Sequence, residues 1–140
     1  MTAMHSEMRS YRTGGRDVVL DLTPDCEVFV RRSAGSGDGL LHVFVPHATA
    51  GLAIIETGAG SDDDLLASLA DLLPEDDRWR HRHGSRGHGR SHVMPALIPP
   101  YASVPVVGGS LTLGTWQRIC LVDLNVDNHD REVRFSFLSG

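Results

Sequence analysis

The 140-residue sequence contains no lysine, and all thirteen of its basic side chains are arginine. Schiff-base enzymes, pyridoxal-phosphate enzymes and P-loop nucleotide hydrolases each need a lysine at the reacting group or at the phosphate. The absence of lysine therefore excludes aldolase-like, pyridoxal-phosphate and Walker-type chemistry.

Cysteine and long apolar runs are also scarce. The two cysteines, Cys26 and Cys120, have no CxxC spacing, so we expect neither a zinc knuckle nor a redox pair and predict two small buried residues. No apolar run approaches the ~20 residues of a membrane span, and the N-terminus lacks the basic start and apolar core of a signal peptide. We expect a cytoplasmic protein that makes no membrane contact.

The overall composition is that of a soluble globular protein, with 41% apolar and 22% charged residues. Its length predicts a single domain over residues 1–140. A net charge of -5 argues against general nucleic-acid binding. One exception is segment 78–90, which carries five arginines and three histidines. Both a surface for phosphate, RNA or an acidic partner and a solvated, glycine-rich loop fit this segment.

Apolar runs separated by Gly, Pro and Asn predict mainly short strands. We expect them near 8–13, 17–22, 40–46, 50–56, 93–98, 104–107, 111–113, 119–126 and 133–138, with Gly14-Gly15 forming a hairpin between the first two. A Thr-Pro pair predicts a short helix over 23–33, and a capping Ser61 before acidic residues and a leucine stripe predicts another. The predicted fold class is α+β, a mainly antiparallel β-sandwich with one to three short helices packed on it.

Segment 46–56 interrupts two predicted strands with polar residues. His47 ends the first strand, Thr49 and Gly51 follow, and Glu56 ends the second. Loops held by rigid strands often carry binding and catalytic groups. A polar residue at a strand end is also simply the point where the strand reaches water, so both interpretations stay open.

Three further polar segments are Ser91-His92, Gly114-Thr115-Trp116-Gln117 and Asp123 to Arg131. Taken in order with segment 46–56, they resemble the YjbQ-like family, also called the secondary thiamine-phosphate synthase family. The matching positions are His47, Thr49, Glu56, His92, the whole Gly-Thr-Trp-Gln block, Asp123 and Arg131. The chain departs from the family pattern at Ile55, where Asn is expected, at Ala59-Gly60 and at Pro99-Pro100-Tyr101.

The resemblance implies an α+β sandwich that assembles as a homotrimer and binds a small phosphorylated metabolite. It implies a secondary thiamine-phosphate synthase activity, in which a thiazole phosphate displaces pyrophosphate from a pyrimidine pyrophosphate. Such a transferase needs positive charge at the pyrophosphate, usually with Mg²⁺. The implied catalytic residues are His47, Glu56 and His92, and the implied substrate-binding residues are Thr49, Thr115, Trp116, Gln117 and Arg131. Trp116 is equally suited to a core position.

Two other functions fit the same residues. His47 and His92 with the carboxylate of Glu56 form a donor set suited to Zn²⁺, which would make the protein a metal-dependent hydrolase. Only folding could bring these two histidines together, because their spacing matches no metal motif. His129 could join them. A non-catalytic ligand-binding trimer is the third possibility, favoured by the departures at Ile55 and 99–101.

Overall fold

The computed structural model describes residues 3–140, which fold as two antiparallel sheets with helices packed against them. In chain order these residues form β1 (Met4–Arg12), β2 (Val18–Asp21), α1 (Thr23–Ala34), β3 (Gly39–Phe44), β4 (Ala50–Ile55), α2 (Ser61–Leu72), β5 (Tyr101–Val107), β6 (Ser110–Leu111), β7 (Arg118–Asp123) and β8 (Asp130–Ser139). Two short 3₁₀ helices, His88–His92 and Met94–Ala96, lie between α2 and β5. The predicted α+β class is confirmed.

The larger sheet has the strand order β1-β8-β3-β5-β6, and the smaller has the order β2-β7-β4. Strand β8 alternates as its sequence predicts: Val133, Phe135 and Phe137 are buried, while Arg134 and Leu138 between and beyond them are exposed. Residues two apart share one face of a strand. The buried face of the larger sheet therefore packs against the smaller sheet and α1 to form the main core.

Strand β7 is buried on both faces because the smaller sheet lies between two layers. Ile119 and Leu121 belong to the main core, whereas Val122 packs with Leu69 and Leu73 in a second apolar cluster around α2. A strand covered on both faces reads as a continuous apolar run, which explains the run at 119–126. None of the helices in residues 3–140 is long and apolar enough to cross a membrane.

The predicted hairpin at Gly14-Gly15 is wrong. Strand β1 pairs with β8 and β2 pairs with β7, so the two strands belong to different sheets. The amides of Thr13 and Gly14 both donate to the carbonyl oxygen of His129, at 2.8 and 3.3 Å, instead of pairing across a hairpin. Gly14 has a φ of 77°, which glycine adopts readily, and the turn carries the chain from one sheet to the other.

The predicted strand at 93–98 is also wrong, since this segment contains the second 3₁₀ helix. Pro95 has no amide to give to a sheet. The apolar side chains Met94 and Ile98 are nevertheless buried, where they pack with Val122. A Cβ atom on Gly51 would collide with the carbonyl of Ile98, so glycine at this position lets the segment lie against β4.

The helices are where the sequence predicts them, but their predicted side-chain caps are absent. Neither Thr23 nor Ser61 caps its helix. The Thr23 hydroxyl instead accepts a hydrogen bond of 2.8 Å from the amide of Ile119 at the start of β7. Cys26 and Cys120 are both free and fully buried, as predicted.

Candidate metal centre

A buried polar network lies where β7 and β8 approach the loop before β4. Arg131 and Asp123 are each about 1% exposed and form a two-pronged ion pair, with Nε to Oδ2 at 2.7 Å and Nη2 to Oδ1 at 2.8 Å. Arg131 Nη2 also donates to Thr49 Oγ1 at 2.8 Å. The structure thus brings together three residues that the sequence singles out. The guanidinium edge that could bind phosphate already holds a carboxylate, and substrate binding by Thr49 and Arg131 stays a prediction.

Asn125, which the sequence did not single out, completes this network. Its side-chain nitrogen donates to Thr49 Oγ1 at 3.0 Å, and its own amide donates to Asp123 Oδ1 at 2.8 Å. All four side chains are buried. Buried charge is tolerated when it is paired and hydrogen-bonded in this way. The network therefore fixes the loop after β7 against the loop before β4.

His47 is half-buried beside this network, where its Nε2 accepts a hydrogen bond of 2.9 Å from the amide of Glu132. Burial, followed by the nearby Arg131 guanidinium, lowers the pKa of His47. Because Nε2 accepts, the neutral ring carries its proton on Nδ1. His47 is therefore held in one tautomer.

The predicted residues of the Gly-Thr-Trp-Gln block lie in an exposed turn before β7. Gln117 closes the turn by accepting from the amide of Gly114 at 2.7 Å. Trp116 is 70% exposed, so the core interpretation of this residue is wrong and the ring is free to contact a ligand or a partner chain. Thr115 is exposed, and Glu56 is half-buried at the end of β4.

His92 belongs to a cluster of imidazoles whose members are not brought together by any pattern in the sequence. One ring nitrogen from each of His81, His88 and His92 lies within 4.8 Å of the others. The Nε2 atoms of His88 and His92 are 3.0 Å apart, and the rings of His81 and His92 stack with centroids 3.8 Å apart. His47 is not a member of this group, and its pairing with His92 on one ion stays a prediction.

Two ring nitrogens in the cluster are buried without a hydrogen-bond partner, namely His81 Nε2 and His88 Nδ1. Asp127 Oδ2 lies 3.1 Å from His88 Nδ1, within ion-pair range but outside good hydrogen-bond geometry. Buried polar atoms are normally satisfied, and an exception indicates strain, an ordered water or a bound ion. A small rotation of His88 would give its Nδ1–H to Asp127.

Asp127 is itself held in place by Ser85. Its Oδ2 accepts from the Ser85 amide at 2.9 Å and from the Ser85 hydroxyl at 3.0 Å. The hydrogen bond from the Ser85 amide is the main cause of the lowered pKa of Asp127. A charged carboxylate behind a metal-binding histidine fixes the ring and strengthens its free nitrogen as a ligand.

The 3₁₀ helix that carries His88 and His92 is anchored by the buried Arg90. Its Nη2 donates to Asp17 Oδ2 at 2.6 Å, and its Nη1 donates to the Leu73 carbonyl at 3.4 Å. Gly89 allows the close packing, because a Cβ there would lie 2.5 Å from the His81 carbonyl oxygen. Only glycine thus lets His81 approach the helix this closely.

The lowered pKa values of two histidines in the cluster favour the neutral imidazole, the form that binds metal ions. Burial, followed by the neighbouring histidines, lowers the pKa of both His81 and His92. Metal ions bind the neutral imidazole. Tetrahedral zinc with Zn–N bonds of about 2.0–2.1 Å separates two ligand nitrogens by roughly 3.3 Å. The observed 3.0 Å between His88 and His92 is close to that separation.

His81 and His88 were missed because segment 78–90 reads as a charged, glycine-rich loop. Its structure depends on Arg90 and Gly89, whose partners lie far away in the sequence. One local signal was present: His88 and His92 are four residues apart, the spacing that puts two ligands on one face of an α-helix, although the segment forms a 3₁₀ helix instead.

Comparisons with known proteins agree with this fold. The family model described as UPF0047 protein YjbQ-like matches residues 7–140. UPF0047 protein Rv2556c of Mycobacterium tuberculosis is 55% identical over 137 residues, which are 98% of this chain and 100% of that protein. UPF0047 protein YugU of Bacillus subtilis is 32% identical over 111 residues, covering 77% of this chain and 80% of that protein.

Two solved structures share the architecture. Hypothetical protein APE1520 from Aeropyrum pernix K1 is 31% identical with a TM-score of 0.86 and covers 97% of this chain and 99% of that chain. A YbjQ-like protein of unknown function from Sulfolobus solfataricus P2 has a TM-score of 0.92 with full coverage of both chains, and at 24% identity it supports the fold alone. The matches over nearly the whole length show that this chain belongs to the UPF0047, YjbQ-like family.

Proposed function

We propose that this protein is a metal-dependent hydrolase whose ion is held by His81, His88 and His92. The observation that carries the proposal is the convergence of three imidazole nitrogens within 4.8 Å, together with the buried His81 Nε2, which has no hydrogen-bond partner. A single histidine on a surface is ordinary, but three ring nitrogens that converge need a common binding partner. A metal ion is the partner that satisfies all three at once.

Zinc is the ion that this donor set favours. Three imidazoles with one open position match catalytic zinc sites, whereas Mg²⁺ prefers oxygen ligands. The proposal keeps the predicted class of metal-dependent hydrolase and the predicted ligand His92. It replaces His47 and Glu56 with His81 and His88, since His47 Nε2 is already engaged by the Glu132 amide and His81 and His88 are the residues grouped with His92.

The surrounding residues supply the rest of the chemistry. When bound, zinc would lower the pKa of a water molecule to about 7 and so provide a nucleophile at neutral pH. Asp127 would orient His88 through Nδ1. His83, whose ring centroid is 4.0 Å from that of His81, is exposed and can take up the proton that the water releases.

Metal content and hydrolysis test the proposal together. The purified protein is stripped with a chelator, reloaded with Zn²⁺, and assayed on p-nitrophenyl acetate and p-nitrophenyl phosphate beside His88→Gln and the control His5→Gln, which changes an exposed histidine on β1. We expect zinc-dependent hydrolysis in the wild type and the control only. Equal rates with and without zinc, or retained activity in His88→Gln, would overturn the proposal.

A thiamine-phosphate synthase activity is the second candidate. It is favoured by the proximity of His47 to the Arg131 network, which contains several of the residues that the family resemblance implies. Purified protein with Mg²⁺ and both precursors should then make thiamine phosphate, and His47→Ala should reduce the yield. If the protein makes no more thiamine phosphate than a heat-treated control, the synthase activity is excluded. A non-catalytic ligand-binding protein is left if both assays are negative.

We also propose that the chain assembles as a homotrimer, with the outer face of the larger sheet buried between copies. Two apolar rows cross this face: Met4, Leu138 and Leu40 are register neighbours, as are Phe44 and Tyr101. All five are 38–67% exposed in the single chain. Contiguous apolar surface of this kind is typical of protein interfaces. Light scattering should give three times the mass of the chain, and a monomer would contradict the proposal.

A further inference from the structure

The histidine cluster opens onto a cavity of about 250 Å³. His81 and His88 form part of its wall, together with Trp79 and the two arginines Arg82 and Arg86. This volume is below the range of typical drug-sized sites and suits a small substrate or the polar end of a larger one. Any group that enters it meets His81, His88 and the two guanidinium groups together.

The charges on the cavity wall are not equally engaged. Asp76 is neutralised by Arg78, whose Nε and Nη2 contact its carboxylate at 2.8–3.1 Å. Asp77 and Arg86 share one contact of 3.4 Å, and their side chains are 65% and 74% exposed. Exposed pairs of this kind contribute little and separate easily.

Arg82 is the cation that remains available. It forms no ion pair and no side-chain hydrogen bond with the residues from 3 to 140, and its side chain lies at the cavity. Its loop neighbours Trp79 and His88 are fixed by a hydrogen bond of 2.8 Å to the Pro74 carbonyl and by the anchored 3₁₀ helix. A free guanidinium beside a largely fixed wall is well suited to receive an anion.

We infer that this cavity binds the phosphate group of a phosphate monoester, with Arg82 as its principal cation and Arg86 as a second. The inference rests on the proposed metal centre, because the ion adds positive charge beside the one guanidinium group of the cavity wall that the acidic residues between 3 and 140 leave unpaired. A guanidinium fork donates two parallel hydrogen bonds to phosphate oxygens. A dianionic phosphate then satisfies the ion and both arginines, which a singly charged carboxylate does only in part.

Inorganic phosphate tests the inference, with acetate as the competing anion. Zinc content is measured first, and titration calorimetry then follows phosphate binding to the zinc-loaded wild type, Arg82→Ala and the control Arg80→Ala, whose arginine does not line the cavity. Loss of one charge-assisted bond should weaken phosphate binding roughly tenfold or more in Arg82→Ala. The control should keep the wild-type affinity, and acetate should bind more weakly than phosphate.

The outcomes separate the two proposals. Zinc retained with equal phosphate affinity in all three proteins, or with acetate bound as tightly as phosphate, overturns the phosphate inference and leaves the metal centre intact. Failure to retain zinc overturns the metal centre, and the phosphate inference falls with it. Arg82→Ala that still binds zinc at wild-type stoichiometry and loses phosphate supports both.

Discussion

The Nε2 atoms of His88 and His92 face each other at 3.0 Å across a single 3₁₀ helix. Without an ion, one of these nitrogens must donate a proton and the other must accept it. With zinc, both would be deprotonated at Nε2 and would move apart by only a few tenths of an ångström to reach roughly 3.3 Å. The helix therefore holds these two nitrogens near the separation that a shared zinc ion would require.

Removal of the charge behind His88 should weaken the metal centre. In Asp127→Asn the ring loses its negatively charged partner at 3.1 Å, and we expect a roughly 10–100-fold lower zinc affinity with an unchanged ligand count. Competition with a fluorescent chelator measures the affinity. The control is Asp130→Asn, an exposed acid at the start of β8. Equal affinities in the three proteins would exclude a positioning role for Asp127.

The buried ion pair between Arg131 and Asp123 predicts a large stability effect. Arg131→Ala leaves Asp123 buried without its counter-charge, which typically costs about 3–5 kcal/mol of the free energy of unfolding. Arg134→Ala, on the exposed face of the same strand, should change the free energy of unfolding by about 0.5 kcal/mol or less. Urea titration followed by circular dichroism compares the two variants, and similar midpoints would contradict the structural role of the network.

The sequence predicts most strands and both helices because their apolar periodicity is local. Strand β8 alternates visibly, and α2 shows its leucine stripe. The partners of the strands were harder to predict, since the choice of β8 as neighbour of β1 depends on pairing across more than a hundred residues. Gly14-Gly15 was wrongly predicted as a hairpin because the local sequence shows two strands joined by a turn but not their distant partners β8 and β7.

The candidate site was predicted only in part, again because of long-range contacts. The family resemblance identified His92, Thr49 and Arg131, and the structure joins the last two. His81 and His88 come together with His92 through Arg90, which reaches from the 3₁₀ helix to Asp17. No local pattern encodes that contact, so the segment reads as a loop in the sequence.

The two cysteines should resist thiol reagents in the folded protein. Burial raises the pKa of both Cys26 and Cys120 to about 12, so at pH 8 the thiolate fraction is roughly a thousandfold below that of an ordinary cysteine. Titration with Ellman's reagent should show no fast reaction in buffer and two reactive thiols in 6 M urea. Rapid reaction of either thiol under native conditions would place it outside the core.

The burial of His47, with the Arg131 guanidinium beside it, predicts a dependence of stability on pH. The folded-state pKa of His47 is lowered, so its contribution to stability is complete above about pH 6.5, the unfolded value, and is lost as the pH falls through the lowered folded-state value. Unfolding free energies between pH 8 and pH 4.5 should therefore fall less steeply in His47→Gln than in the wild type. Parallel curves for the two proteins would mean that His47 keeps an ordinary pKa.

X-ray absorption spectroscopy of the zinc-loaded protein tests the metal centre most directly. We expect one zinc per chain with three imidazole nitrogens at about 2.0–2.1 Å and an oxygen in the fourth position. His81→Gln, His88→Gln and His92→Gln should each lose either the zinc or one imidazole ligand, whereas His5→Gln should keep all three. A chain that retains no zinc, or zinc whose ligands are unchanged in all three cluster variants, would contradict the account.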